Sequence, residues 1–246
     1  MQFGWKFMTV GVSLAILAIC VGCGKTGEAG SETTQVAAIR GSADASAKNM
    51  PSTPISRDNA SNSVSDPDHP VVEIQTNLGH IVVELDKTQA KLTVENFLRY
   101  VESGHYDQTI FHQVLKDYVI MGGAYTVDLV EKRAHPPIRN EAQKCALRNV
   151  AGTIAMVRRP DAQDSATCQF FINVTDNPNL DYRGPSAEEY GYCPFGKVIS
   201  GMDVVRKIAA VEVTDKVVQV PGQAEKAEFE RVPKQPVVIQ SVRQVR

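Results

Sequence analysis

The fold class predicted by this sequence is mainly β, an antiparallel barrel or sandwich in one domain with two helices. Short apolar-rich runs separated by turn residues recur from Val71 to Val242, and only two segments in that span carry a helical apolar period. The composition, 43% hydrophobic and 22% charged over 246 residues, is that of an ordinary globular protein, but the residues before Val71 contribute nothing to the strand pattern.

The elements follow in order. Val71-Val72-Glu73-Ile74-Gln75-Thr76 and His80-Ile81-Val82-Val83-Glu84-Leu85 alternate as half-buried strands, with Asn77-Leu78-Gly79 as the hairpin loop between them. Thr93 is the expected N-cap of a helix in which Val94, Phe97, Leu98 and Val101 form one apolar face, with Gly104 as its stop. Further strands are expected at 109–115, 118–121, 153–157, 169–174 and 195–199. Val204, Val205, Ile208 and Ala209 mark a second short helix after Gly201, and a last strand runs through Val237, Val238, Ile239 and Val242. A barrel has no free strand edge but two open ends, and two helices with one apolar face are natural plugs for them. The tract from Ala124 to Asn149, with Pro136-Pro137, is long for a loop in a compact domain, and such loops are often functional.

Three regions are expected: a signal segment at 1–23, a tether at 24–69 and the folded domain at 70–246. Lys6 precedes an apolar run from Val10 to Val21 that is shorter than the about 20 residues needed to span a bilayer, and so fits a secretory signal. The run ends in Val21-Gly22-Cys23, which is similar to the end of a bacterial lipoprotein signal, with lipidation expected at Cys23. Plain secretion and an uncleaved anchor are the alternatives. Residues 24–69 are rich in small and polar residues and contain no Phe, Tyr or Trp, so they cannot bury enough surface to offset their ordering entropy. The expected location is therefore the cell envelope, on a membrane through a lipid anchor.

Other functions are excluded or unsupported. A net charge of −2 gives no concentrated basic face for nucleic acid. His69, His80, His105 and His135 are scattered without metal-ligand spacing, so no metal is expected. No serine sits in a nucleophile-elbow pattern. Once the signal is removed and Cys23 lipidated, Cys145, Cys168 and Cys193 remain; one bridge is possible in an oxidising compartment, and three buried thiols are the favoured reading.

The chemistry-bearing stretches are Ile110-Phe111-His112-Gln113-Val114-Leu115, Met121-Gly122-Gly123 and Gln169-Phe170-Phe171-Ile172-Asn173. Glu95-Asn96-Phe97 precedes them in the chain. Gly152-Thr153-Ile154-Ala155-Met156 lies between the second and third, and Tyr192-Cys193-Pro194-Phe195-Gly196 and Gly201-Met202-Asp203-Val204-Val205 follow. In this order and over this length, the sequence resembles cyclophilin-type peptidyl-prolyl isomerases of the bacterial branch. The resemblance implies an eight-stranded antiparallel barrel capped by two helices, acting as a monomer on proline-containing polypeptides.

The resemblance also implies a site. Phe171 and Leu180 match the family's proline pocket, with Tyr118 in place of a phenylalanine and Val119 in place of a methionine. Gln169 is expected to hydrogen-bond substrate backbone, and Tyr192 stands where bacterial members carry tyrosine. Phe111, His112 and Met121 are expected among the substrate-binding residues; taken alone, Phe111 reads rather as barrel core. The catalytic position is altered: Gln113 stands in place of the family's arginine, Met121 in place of its glutamine partner, and Asn179 in place of a rim aromatic. Rotation about an amide needs no group transfer, and no cofactor is expected. Three readings follow: an isomerase with reduced activity, a non-catalytic proline-peptide binding or chaperone-like module, and a structural scaffold.

Overall fold

The structure, a computed structural model, describes residues 66–219 and 226–245. The signal segment, Cys23 and the tether through residue 65 lie outside the described residues. Residues 66–69, expected in the tether, instead form a turn whose Asp68 carbonyl accepts from Lys87 N at 2.9 Å.

The described residues hold ten strands, β1 (Val71–Thr76), β2 (Gly79–Leu85), β3 (Thr109–Leu115), β4 (Val119–Thr126), β5 (Thr153–Met156), β6 (Phe170–Asn173), β7 (Pro194–Ser200), β8 (Val213–Gln219), β9 (Lys226–Pro233) and β10 (Val238–Gln244). Eight of them close an antiparallel barrel in the order β1-β10-β3-β4-β6-β5-β7-β2. The first and last strands complete the closure, because Ile74 of β1 pairs with both Val242 of β10 and Ile81 of β2. The alternation predicts which side chains point inward: Val72, Ile74, Ile81, Val83 and Leu85 are fully buried in the core.

Two helices, α1 (Lys91–Glu102) and α2 (Met202–Ala209), bury their apolar faces in the same core. Phe97 of α1 reaches an aromatic cluster, with ring centroids 5.1 Å from Tyr106, 5.7 Å from Phe170 and 5.2 Å from Phe195. Such pairs add about 0.5–1.5 kcal/mol beyond their buried area. Gly104 closes α1 as expected, with φ +65° and its N–H on Val101 O at 3.1 Å.

The N-terminus of α1 corrects the expected cap. Ala90 is the N-cap and makes no side-chain bond, while Thr93 lies inside the first turn. The cap comes from Glu141, far along the chain: its carboxylate accepts from Leu92 N at 3.2 Å, Thr93 N at 2.8 Å and Thr93 Oγ1 at 2.7 Å. A carboxylate both satisfies orphan N–H groups and faces the positive end of the helix dipole, which a local threonine hydroxyl cannot match.

Glu141 belongs to the expected long loop, shortened here because β4 runs on to Thr126. The loop has almost no regular structure, yet side chains fasten it along its length. Lys132 Nζ donates to His105 O, His135 N donates to Tyr100 Oη at 2.7 Å, and Asn140 Nδ2 donates to Gly191 O at 3.1 Å.

The pair β8–β9 was not expected from the sequence. It forms a separate two-stranded sheet whose Val232 packs with Ile110 of β3 and Leu129, flanked by Tyr125, Val218 and Phe229. The period-two signal is weak there because much of the hairpin is exposed, so polar residues fall on both faces. Of the three cysteines in the barrel domain, Cys168 and Cys193 are buried, Cys145 is half-buried, and none is bridged.

Glu141→Ala should lower stability by about 1–2 kcal/mol, the range for losing a charged helix cap. Thr93→Val, which spares the two backbone bonds, should cost less. Urea unfolding of both variants checks this; equal losses would return the cap to Thr93.

Candidate active site

The site is built on an irregularity in β3. Phe111 pairs with Gly122 of β4, but Gln113 pairs with Met121, so two residues of β3 oppose one of β4. On a regular strand Phe111 and Gln113 would share a face. The bulge changes the parity: Phe111 is fully buried in the core and Gln113 is half-buried outside it. The Gly122-Gly123 pair permits this. At Gly123, where φ is +95°, a Cβ would sit 2.9 Å from ring atoms of Phe170 and Tyr106; at Gly122 it would sit 3.0 Å from Ile110 O.

Past the bulge, register does the rest. Gln113 pairs with Met121, Met121 with Phe171, and Phe171 with Ala155, one row across β3, β4, β6 and β5. Val119 lies two residues from Met121 and therefore on the same face. Val119, Met121, Phe171 and Leu180 are nearly out of solvent, whereas Gln113, Tyr118, Gln169 and Tyr192 are half-buried. The arrangement is an apolar floor with an amphipathic rim.

Buried amides hold that rim. Leu180 ends a single 3₁₀ turn, Pro178–Leu180, and its carbonyl accepts from Tyr192 N at 2.8 Å. Asn177 Nδ2 donates to Tyr118 O at 3.1 Å and to Asn173 Oδ1 at 2.7 Å, and Asn173 Nδ2 donates to Asn149 Oδ1 at 3.2 Å. Asn149 Nδ2 then reaches Asp181 Oδ1 at 3.0 Å and Tyr192 O at 3.2 Å. The chain of amides thus links the Tyr118 turn, the 3₁₀ turn and the Tyr192 segment. Asn179 Nδ2 donates to Tyr118 Oη at 2.7 Å, a polar contact at the rim.

Tyr192 stands edge-on to Phe171, with ring centroids 5.6 Å apart at 81°. Arg158 lies over its other partner surface, Cζ 4.9 Å from the ring centroid. This guanidinium is not a free charge. It is 4% exposed, and donates to Gly191 O at 2.8 Å, Arg159 O at 2.9 Å, Pro160 O at 3.2 Å and Ala187 O at 2.7 Å. The crevice lined by Thr93, Asn140, Met156 and Cys193 shares Arg158 but none of the row residues.

His112 does not join the row. It is buried edge-on against Tyr125, ring centroids 4.7 Å apart, and its Nδ1 has no partner. Burial lowers its pKa from 6.5 to about 3, so it is a neutral imidazole at physiological pH. Tyr125 stands edge-on in turn to Phe229 of β9, ring centroids 5.1 Å apart, and burial pushes its own pKa up, with the Gln169 side chain working against that shift. The residues missed from sequence are thus Tyr125, Phe229 and the three asparagines. Asn173 closes the Phe-Phe-Ile-Asn stretch, but nothing local marks it as a structural amide.

The site is thus an apolar floor with an amphipathic rim on the outer face of four strands of a closed barrel whose core includes two helices. The family profile described as cyclophilin type peptidyl-prolyl cis-trans isomerase/CLD matches residues 71–244. The chain is 45% identical over 172 residues to peptidyl-prolyl cis-trans isomerase cyp18 of Streptomyces antibioticus, covering 70% of this chain and 96% of that protein. It is 41% identical over 172 residues to peptidyl-prolyl cis-trans isomerase B of Escherichia coli (strain K12), covering 70% and 98%. The crystal structure of a Cryptosporidium parvum cyclophilin-type isomerase shares the fold, with TM-score 0.55 and 23% identity over 72% of this chain and 98% of that one. The chain belongs to the cyclophilin-type peptidyl-prolyl cis-trans isomerases.

The buried imidazole makes stability depend on pH. Below about pH 6.5 the unfolded chain binds a proton on His112 that the folded chain refuses until about pH 3, so this residue lowers stability as pH falls across that window. The limiting slope is about 1.4 kcal/mol per pH unit. His112→Leu should remove that slope from urea-unfolding data between pH 4 and 6. An unchanged slope would show that the folded protein protonates His112 readily.

Proposed function

We propose that this isomerase rotates X-Pro bonds in polypeptides at a reduced rate, and does so at the cell envelope. The observation that carries the reduced rate is the pairing of Gln113 with Met121 beside Phe171, a neutral carboxamide and a thioether at the catalytic edge of the row.

The amide barrier is about 18–20 kcal/mol, and uncatalysed X-Pro isomerisation takes tens to hundreds of seconds. In the twisted transition state conjugation is lost and the proline nitrogen becomes pyramidal and basic. A donor aimed at that nitrogen binds the twisted form better than either planar form, which is the differential binding that catalysis requires. Phe171, Leu180, Val119 and Met121 supply apolar surface for the proline ring, and the half-buried Gln169 offers its amide to substrate backbone. Gln113 offers a neutral N–H in place of a cation. Charge-assisted bonds are roughly twice as strong as neutral ones. Arg158 cannot replace the missing charge, because its donors are engaged by four carbonyls.

Loss of a preorganised charge-stabilising donor typically costs about 10²–10³ in rate. The specificity constant on a proline tetrapeptide should therefore lie about that far below an arginine-bearing relative, with peptide affinity less affected. Gln113→Arg should recover part of the rate, and Gln113→Arg with Met121→Gln more than the two single changes added as free energies. Full activity in the unmodified protein would overturn the reduced-rate reading. Peptide binding with no turnover, unrepaired by the double change, would favour a binding module.

The envelope reading rests on the sequence of the first 69 residues: the apolar run, Gly22-Cys23 and the polar tether. Among the described residues no helix is long and apolar enough to cross a membrane. Cys23→Ser should move the protein from the membrane to the soluble fraction. Persistent membrane binding with a cleaved signal would rule out the lipid anchor.

A further inference from the structure

We propose that Cys145 and Cys193 form a dithiol site, which a small disulfide oxidant of the glutathione class converts into an intramolecular disulfide. The two residues are remote in sequence, one in the irregular loop before β5 and the other immediately before β7, yet their thiols converge on one atom. Cys145 Sγ donates to Pro194 O at 3.3 Å and Cys193 Sγ lies 3.5 Å from the same oxygen. The two thiols also shift each other's pKa in opposite directions, Cys145 down and Cys193 up.

The pair is asymmetric in the way thiol–disulfide exchange requires. Cys145 is half-buried, open to a small reagent, while Cys193 is 4% exposed behind it. The neighbouring Cys193 thiol favours the thiolate of Cys145, while Cys145 and burial raise the pKa of Cys193 and keep its proton on. Cys168 is a different case: it is 1% exposed, and burial pushes its thiol up to about 11. It has neither access nor a thiol partner on the same carbonyl.

The exchange balances as follows. The Cys145 thiolate attacks one sulfur of oxidised glutathione, forming a protein–glutathione mixed disulfide and expelling one glutathione thiolate. Cys193 loses its proton to solvent, attacks the Cys145 sulfur and expels the second glutathione thiolate. Two protein thiols lose two electrons, one glutathione disulfide gains them, and the two protons end on the two glutathione thiols. The bond ties the loop to the start of β7, one residue from Tyr192. It acts on the segment that Asn149 already anchors through Asp181 Oδ1 and Tyr192 O. Closing a long loop in the unfolded chain stabilises the fold, so oxidation should raise the unfolding temperature.

The full chain is incubated with oxidised glutathione, alkylated, digested and mapped by mass spectrometry, with thermal unfolding recorded in parallel. The expected result is a Cys145–Cys193 linked peptide lighter by two hydrogens, with Cys168 alkylated and an upward shift in unfolding temperature. Dithiothreitol should reverse both. Cys145→Ser should abolish the link and the shift, and because this position is half-buried it carries the test if Cys193→Ser fails to fold. The proposal is overturned if glutathione stays on Cys145 without closure, if both thiols remain alkylated, or if Cys145→Ser keeps the thermal shift. None of these readouts uses isomerase activity, so the outcome is independent of the role of Gln113.

Discussion

Closure of the barrel is the constraint from which the rest of the structure follows. Once Ile74 pairs with both Val242 and Ile81, the remaining ladders have a fixed circumference, and every residue on the eight strands is assigned to the inside or the outside. The inward set fills with Val72, Ile81, Phe111, Phe170, Phe195 and their neighbours, all fully buried. The outer face of β3, β4, β6 and β5 is then left to carry chemistry. Among the register shifts that interrupt these ladders, the bulge between Phe111 and Gln113 lies at the site itself. An irregular pairing that re-aims a single side chain is a local cost that a regular strand would not bear.

The rim illustrates a second dependence. Tyr118, Leu180 and Tyr192 come from a turn, a 3₁₀ turn and a loop, none of which has a ladder to hold it. The carbonyls of Tyr118 and Tyr192 accept instead from the side chains of Asn177 and Asn149, which Asn173 and Asp181 hold in turn, and Leu180 O accepts from Tyr192 N. Buried amides offer both donors and an acceptor, so a short chain of them can fix three segments at once, provided that each member is paired. Arg158 works in the same manner, a cation over the Tyr192 ring whose hydrogen-bond acceptors are all carbonyls, which is why its donors are committed to holding backbone.

In the proposed reading the floor and rim take a proline-containing peptide, and the row itself carries the neutral pair Gln113 and Met121. Gln113 and Met121 are cross-strand partners, so their identities bear on one another: a charged donor at one position would need a polar partner at the other. The hairpin β8–β9 reaches the same neighbourhood from the side, through Phe229 and its edge-on contact with Tyr125, which in turn packs against His112.

Period-two alternation from Val71 to Leu85, the α1 stripe of Val94, Phe97, Leu98 and Val101, and the Gly104 stop were legible in the sequence, because each depends on neighbours within one turn or one strand. The site stretches were legible as well, including the absence of arginine at Gln113. Thr93 as a cap was not sustained, since the competing carboxylate of Glu141 is 48 residues away and arrives only when the loop folds back. The hairpin β8–β9 escaped notice because its exposed residues blur the alternation. Local period determined the fold class, and the order of motifs shared with a known family marked the residues available for chemistry. Tertiary structure alone decided that Phe111 turns inward while Gln113 turns out, that Arg158 is clamped, and that Cys145 meets Cys193, because each depends on register and long-range hydrogen bonds that no window of sequence contains.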